Sequence, residues 1–454
     1  MRIIQDISKK VNRFYSCLKS VPGTYRPSIF NFIVHDNEAI IFNSMSRLIA
    51  VLSDQECAIL EKESIIVEES DLQDGILYDL IEKRLLVSAS ENEADTYMNI
   101  CDMVGMIENA KNSDDHITDY TILSTTACNA RCFYCFEADF KPTAMSTQTA
   151  EDLVEYIIKN SDGKKMCLHW FGGEPLCNTR VMDLISERLI AEGYSIASSI
   201  TTNGLLFDDE NVKKAKELWH TNTIQITLDG LGEEHNRRKN YKGAVGDPFA
   251  RTIENIHLLL KENITVSLRL NFDNENCENI YELIDFLKKE FEGEKYLVSY
   301  PAMLFENCAA WNPERLPEEQ KELLQKLFKL RDAMEECGLY SPPTLSKALK
   351  LTRCGSNRRN HRTVNPDGRF SVCHNVSDGD TYGSIYEGIS DKNEFEKWMC
   401  NSRLNEKCKN CCWLPECTAF DQCPIKRSTC IEETNDLVSR QLRKAYRKYM
   451  EANK

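Results

Sequence analysis

The chain has 454 residues, 42% hydrophobic and 28% charged, and carries a net charge of −15 at pH 7. That length exceeds one ordinary domain and suits two to four, in a globular protein whose core does not need metals or disulfides merely to hold it together. The acidic balance argues against nucleic-acid binding, no apolar run approaches the ~20 residues of a membrane span, and "MRIIQDISKKVNRFYS" lacks the apolar stretch of a signal peptide, so a cytoplasmic protein with neither kind of partner is expected.

Residues 1–115 read as a separate small domain. "SIFNFIVHDNEAIIFN" is two apolar runs around a polar turn and predicts a hairpin. "SDQE" (53–56) is a capping-box signature that opens a helix. "LQDGILYDLIEKRLLVS" has helical spacing and ends in a β-like run. Together these predict a compact winged-helix-like fold, with "KNSDDH" (111–116) as a linker.

From 116 to 310, strand and helix signals alternate. The strand-like runs are "YTILST", "MCLHWF", "YSIASSITT", "TIQITLD", "ITVSLRLN" and "YLVSYPAML". Between them lie stretches such as "AEDLVEYIIKN" and "YELIDFLKKEF" with helical spacing. Six βα units in series predict an α/β fold with a parallel sheet, curled into a partial (β/α)6 barrel whose chemistry sits at the C-terminal strand ends.

Residues 311–350 read as a helical bridge with proline breaks. From 351 to 435 the chain is rich in cysteine, glycine and asparagine with little periodicity, so bound metal is expected to organise it. Residues 436–454 predict a basic amphipathic C-terminal helix. The basic runs "RCGSNRRNHR" and "RQLRKAYRKY" read as solvated faces.

The 20 cysteines are unevenly spread. Nine fall between Cys354 and Cys430, and three form "TACNARCFYCFE", with Cys128, Cys132 and Cys135 in a C-x3-C-x2-C spacing. In a reducing compartment such clusters signal metal, iron–sulfur or redox chemistry. Chance gives roughly 0.04 matches to this spacing in such a chain. Three thiols are one short of a closed tetrahedral site; a zinc site with a distant fourth ligand, or plain packing, is the alternative.

This spacing, with Tyr134 at the aromatic position, resembles the radical S-adenosylmethionine (SAM) superfamily. The resemblance implies a [4Fe–4S] cluster held by three thiolates, whose fourth iron binds SAM, with Tyr134 against the adenine. "HWFGGEP" resembles the superfamily's second-strand motif. Glycines there permit close backbone approach, so Gly172, Gly173 and the Glu174 carboxylate are expected to receive the SAM amino group. By the same resemblance Thr202 and Asn203 of "ITTNG", and Arg269 and Asn271 of "LRLN", are SAM contacts. "DGLGEEH" (229–235) half resembles a dinucleotide fingerprint, but His235 stands at the third glycine position, and nicotinamide binding is rejected.

The C-terminal cysteines resemble the SPASM domain of radical SAM peptide-modifying enzymes. Cys354, Gly368 and Cys373, then Cys408, Cys411, Cys417, Cys423 and Cys430, follow its pattern, except that five residues separate Cys417 from Cys423 where three are usual. Asp421 occupies the position of the missing thiol. The resemblance implies two auxiliary [4Fe–4S] clusters. One would take Cys354, Cys373 and Cys423, with Cys400, Cys412 or no residue as its fourth ligand. The other would take Cys408, Cys411, Cys417 and Cys430. Structural zinc is the alternative.

The same resemblance implies a 5′-deoxyadenosyl radical enzyme that acts on a precursor peptide with a leader, and an electron donor such as flavodoxin or ferredoxin. The winged-helix-like domain would capture the leader at a sheet edge. The expected activity is a side-chain cross-link in a ribosomally made peptide, through a cysteine thioether. Sulfatase maturation is the competing reading. Those enzymes carry a basic aspartate after the second SPASM cysteine; here the residue is His374, a candidate base. A non-enzymatic iron–sulfur or zinc regulator is the third reading.

Overall fold

The computed structural model describes residues 1–7, 20–111, 116–161, 163–304, 318–349, 354, 356, 358–376, 381–399, 406–417 and 430–453. Cys400, Asp421 and Cys423 lie outside the described residues, as do the first part of the helical bridge and most of the expected linker.

The N-terminal region holds β1 (Arg2–Gln5), β2 (Gly23–Pro27), β3 (Asn31–His35), β4 (Ala39–Asn43), β5 (Ile49–Leu52), α1 (Asp54–Leu60), β6 (Ile65–Val67), α2 (Gly75–Glu82), β7 (Leu86–Ser88) and α3 (Glu93–Lys111). The hairpin β3–β4 forms as its alternation requires, with Phe32 opposite Phe42. Ser53 caps α1 by accepting from the Glu56 amide, and the Glu56 carboxylate accepts from Ser53 in return. The strands make two antiparallel sheets, in the orders β1-β5-β4-β3 and β6-β2-β7.

The central sheet is built from β8 (Asp119–Thr125), β9 (Lys165–Gly172), β10 (Ser195–Thr202), β11 (Thr221–Leu228), β12 (Thr265–Phe272) and β13 (Leu297–Met303). All six are parallel and adjacent in chain order. Helices α4 (Thr147–Asn160), α5 (Thr179–Ala191), α6 (Asp209–Glu217), α7 (Glu233–Lys239), α8 (Pro248–Lys261), α9 (Cys277–Glu290) and α10 (Glu318–Glu336) follow or separate the strands. One strand face carries Ile122, Leu168, Trp170, Ile200, Ile224, Ile226, Leu268 and Leu270, all buried in the main core with the apolar stripes of α4, α5, α8 and α9. Alternate residues line the other face, and many of them are polar. Thr121 stands beside His169, His169 beside Ser199, Thr201 beside Gln225, and Arg269 between Thr227 and Tyr300. A strand buried on both sides would be apolar throughout; these strands alternate because one face is kept for polar contacts.

The sheet does not stop at β8. β14 (His361–Val364) pairs parallel with it, followed by β15 (Arg369–Ser371), β16 (Thr381–Ser384) and β17 (Gly388–Ile389), which extend one ten-stranded sheet. The expectation that bound metal organises this segment leaves out the part that folds by strand pairing. Phe370 and Tyr382 are buried among Tyr156 and Phe395, so apolar packing holds this part. Helices α11 (Lys392–Met399) and α12 (Glu406–Lys409) follow, and the last helix, α13 (Cys430–Ala452), begins six residues before the expected start.

The basic runs are not merely solvated. Arg362 is fully buried, and Arg440 is buried with ion pairs to Asp332 and Asp436. Arg440 joins the last helix to α10, whereas Arg362 donates to Arg359 O and His361 O and lies over the Phe395 ring. No helix among the described residues is long and apolar enough to cross a membrane.

Candidate active site at the strand ends

The three motif cysteines lie on the loop that leaves β8. The end of the neighbouring strand β9 holds this loop by main-chain bonds. The Gly173 amide donates to Thr125 O and the Glu174 amide to Ala127 O, each at 3.0 Å. A methyl at Gly173 would sit 2.6 Å from both Thr126 O and Ala127 O, and one at Gly172, whose φ is +122°, would sit 2.1 Å from Thr125 O. These glycines therefore let the cysteine loop itself approach, a use that the sequence reading assigned to the ligand.

Glu174 is wholly buried. Its carboxylate accepts from Thr202 Oγ1 at 2.8 Å, from the Asn203 amide at 2.8 Å and from the Leu176 amide at 3.1 Å. The expectation that this carboxylate receives an ammonium group thus meets a group already enclosed by protein donors. Burial pushes its pKa up, and the Asn203 amide and Thr202 hydroxyl oppose that shift. Its work is to tie the end of β9 to the end of β10. The Asn203 side chain carries the connection onward, donating to Asn129 Oδ1 at 2.7 Å within the cysteine loop.

A second set closes from the far strands. The Tyr134 hydroxyl donates to Asp229 Oδ2 at 2.6 Å. Asn271 Nδ2 reaches both Tyr134 at 3.2 Å and Asp229 Oδ1 at 3.1 Å, and Arg269 Nε donates to Asn271 Oδ1 at 2.9 Å. Lys239 Nζ donates to the Tyr134 hydroxyl at 3.1 Å and lies 3.4 Å from Asp229. Burial opposes the charge on Lys239 most strongly, but Asp229 together with the nearby Cys132 and Cys128 thiols outweighs it and holds its pKa up. The backbone of Lys239 also accepts from the Arg131 amide at 2.9 Å.

All the strand-end residues singled out from sequence are thus brought to one place with the three cysteines. Sequence reasoning missed Asp229, Lys239 and Asn129. The signal for Asp229 was present: it ends the fourth strand run, in the segment set aside as a false dinucleotide fingerprint.

His374 lies elsewhere. Its ring packs on Phe171 with centroids 4.3 Å apart, beside the polar face where His169 bonds Ser199 at 2.7 Å and His361 bonds Thr121 at 3.1 Å. Burial lowers the pKa of His374 to about 4. Ser356 stands 3.7 Å from Cys354 Sγ and also bonds Cys373, so these two cysteines share a neighbourhood. Cys411 donates its amide to Cys408 O at 3.1 Å, and the thiols of Cys411 and Cys417 lie close enough to Cys430 to add to the rise that burial gives its pKa.

The motif loop suits an iron–sulfur cluster by its donor set and its surroundings. Three half-buried thiols share one loop. Two buried polar atoms on that loop, Asn129 Nδ2 and Glu137 Oε1, have no hydrogen-bond partner among the described residues. Burial pushes the Cys128 thiol up to about 12, a cost that a bound cation removes because a coordinating thiol is deprotonated. Among the described residues no three His, Cys, Asp or Glu side chains already stand at metal-binding distances.

Residues 122–287 match the model of the Radical SAM superfamily. The chain is 29% identical over 170 residues to Fe-coproporphyrin III synthase of Methanosarcina barkeri, covering 37% of this chain and 40% of that protein. It is 22% identical over 165 residues to the sporulation killing factor maturation protein SkfB of Bacillus subtilis, covering 36% of this chain and 38% of that protein. The chain therefore spans about two-fifths of the length of these curated relatives. Among solved structures, native anSMEcpe with bound AdoMet and Cp18Cys peptide superposes with a TM-score of 0.55 at 16% identity, covering 73% of this chain and 99% of that one. That likeness is one of fold. Residues 122–287 are a radical SAM domain, and the relatives that the chain resembles include a maturation protein.

Proposed function

We propose that the protein is a radical SAM peptide maturase that installs a cysteine thioether in a ribosomally made precursor peptide. The observation that carries this reading is the meeting of the cysteine loop with Glu174, Asn203, Tyr134 and Asn271 at one end of the parallel strands. Cys128, Cys132 and Cys135 would hold the cluster, and Tyr134, Gly172, Gly173, Thr202, Asn203, Arg269 and Asn271 would face SAM. When bound, cluster and SAM supply a 5′-deoxyadenosyl radical that takes a hydrogen atom from substrate carbon.

The chain's own residues do the rest. Glu174 and Asn203 fix the loop, so its thiols are not free to turn away. The Asp229–Lys239 pair keeps the hydroxyl of Tyr134 in one place. The polar strand face, with His169, Ser199, Gln225 and Tyr300, offers donors and acceptors that orient a peptide and take the room of water.

Cys354 and Cys373, and Cys408, Cys411, Cys417 and Cys430, are proposed to hold auxiliary clusters within a SPASM domain of residues 351–435. Residues 1–115 are proposed to read the leader, supported by SkfB's being a maturation protein and by the small antiparallel sheets at this end. A flavodoxin or ferredoxin would deliver the electron.

The test is anaerobic reconstitution with iron and sulfide, followed by reaction with SAM, a reductant and a cysteine-containing precursor peptide. The expected result is release of 5′-deoxyadenosine, loss of two hydrogens from the peptide, and one thiol that no longer alkylates. Absence of SAM cleavage in the reconstituted protein overturns the reading. Formylglycine on a sulfatase peptide, with no product on the precursor, transfers it to sulfatase maturation.

A further inference from the structure

The N-terminal sheet reaches the C-terminal cysteines directly. The tight turn between β4 and β5 is closed on itself by Asn43, whose side chain accepts from the amides of Met45 and Ser46 at 3.1 and 2.7 Å. From this turn Ser44 Oγ donates to Cys412 O at 2.5 Å. Trp413 inserts beside Phe32 and Phe42, at centroid distances of 4.7 and 6.4 Å, and Leu414 is buried with Phe30, Met45 and Tyr97. The turn that carries Cys411 and Cys417 is thus seated in the core of the N-terminal region.

Arg47 is the centre of this contact. It is fully buried and adopts φ +62°, a left-handed conformation that a residue with a side chain takes only when its surroundings over-determine it. Its guanidinium pairs with Glu416, one residue before Cys417, and lies over the Phe42 ring. Nη2 and Nε donate to Ser346 O at 2.6 and 3.1 Å. A single side chain of the N-terminal region therefore grips both the Cys411–Cys417 turn and the strand of chain that leads toward Cys354.

We propose that Arg47 is a positioning residue for the auxiliary cysteines, setting the Cys411–Cys417 turn against the backbone at Ser346 from the N-terminal sheet. This rests on the reading that these cysteines hold iron–sulfur clusters. A buried guanidinium with a fixed fork suits the task, since it holds two acceptors at a set angle where an ammonium would hold them loosely. Arg47 touches neither the cysteine motif nor the strand-end residues.

The test uses the full chain in which Cys128, Cys132 and Cys135 are alanine, so that all bound iron is auxiliary. In this parent, Arg47→Met is expected to lower the retained iron by roughly four atoms, one cubane, and to change the electron paramagnetic resonance line of the remainder. Arg47→Lys restores part of the iron, and Glu416→Gln shifts the resonance line and reduction potential while keeping most of it. With the cysteine motif intact, the Arg47→Met chain still releases 5′-deoxyadenosine, which shows that its radical SAM domain is folded. Iron count, resonance line and potential equal to the parent in both Arg47→Met and Glu416→Gln overturn the proposal. A parent with no iron at all overturns the auxiliary-cluster reading beneath it, and that outcome is visible before any Arg47 variant is made.

Discussion

The carboxylate of Glu174 and the backbone amide of Asn203 meet at 2.8 Å between the ends of β9 and β10, in a place closed to solvent. Both residues also hold the cysteine loop, Glu174 by its amide to Ala127 O and Asn203 by its side chain to Asn129. In Glu174→Gln the amide group cannot accept from all three donors, and one buried N–H or O–H loses its partner. The expected cost is about 1–3 kcal/mol, read as a lower urea midpoint for the anaerobic protein. An unchanged midpoint would show that the carboxylate is dispensable.

Gly173→Ala places a methyl 2.6 Å from two carbonyl oxygens of the cysteine loop. Backbone cannot yield as a flexible side chain does, so the loop must move. The expected result is weakened cluster loading, seen as reduced visible iron–sulfur absorption, with overpacking costing about 1–3 kcal/mol. Gly193→Ala is the comparison: its methyl meets nothing within 4 Å, though φ +81° still carries strain. If both variants load iron equally, the close approach is not what the glycine is for.

Asp229 and Lys239 are both buried, and each is the other's counter-charge. Asp229→Asn leaves the ammonium unpaired and is expected to cost about 3–5 kcal/mol. Lys239→Met alone leaves the carboxylate unpaired and is also damaging. The double variant should recover much of the loss, giving a positive coupling in a double-mutant cycle. Simple additivity would sink the claim that the two charges hold each other.

Four histidines are held neutral by burial. His235 and His361 are lowered to about 3, and His169 and His374 to about 4. Above the ordinary histidine value of about 6.5, neither folded nor unfolded chain protonates them, and pH has no effect through these groups. Below it the unfolded chain binds protons that the folded chain refuses, so stability falls as pH drops from about 6.5 toward 4, at about 1.4 kcal/mol per pH unit for each histidine. Urea midpoints measured across that range check the slope, and His235→Gln should remove one share of it. A flat profile would contradict the burial of these rings.

The parallel strands were legible because alternation in "TIQITLD" and "ITVSLRLN" marks one apolar and one polar face, and chain order fixed their adjacency. The cysteine loop and the Glu174 turn were legible as local motifs. Lys239 was not, because its meaning lies in a bond to Tyr134, 105 residues away, and Asp229 was legible only as a strand end, not as the partner of Tyr134 95 residues away. Arg47 was invisible for the same reason: its acceptor at Ser346 is 299 residues distant, and each end reads as ordinary loop. β14 was missed because four residues in a glycine- and cysteine-rich stretch carry too little periodicity. Its pairing with β8 is decided by the edge that β8 offers.

That pairing bears on whether the protein can be taken apart. With β9 on one side and β14 on the other, β8 has no raw margin. Cutting the chain near residue 350 would strip β8 of its outer neighbour, next to the cysteine loop, and bare a row of amides and carbonyls of the kind that recruits other chains. The radical SAM domain is therefore not a detachable cassette. Its first strand is finished by chain from the far end, and excision would yield a sticky fragment instead of a smaller enzyme.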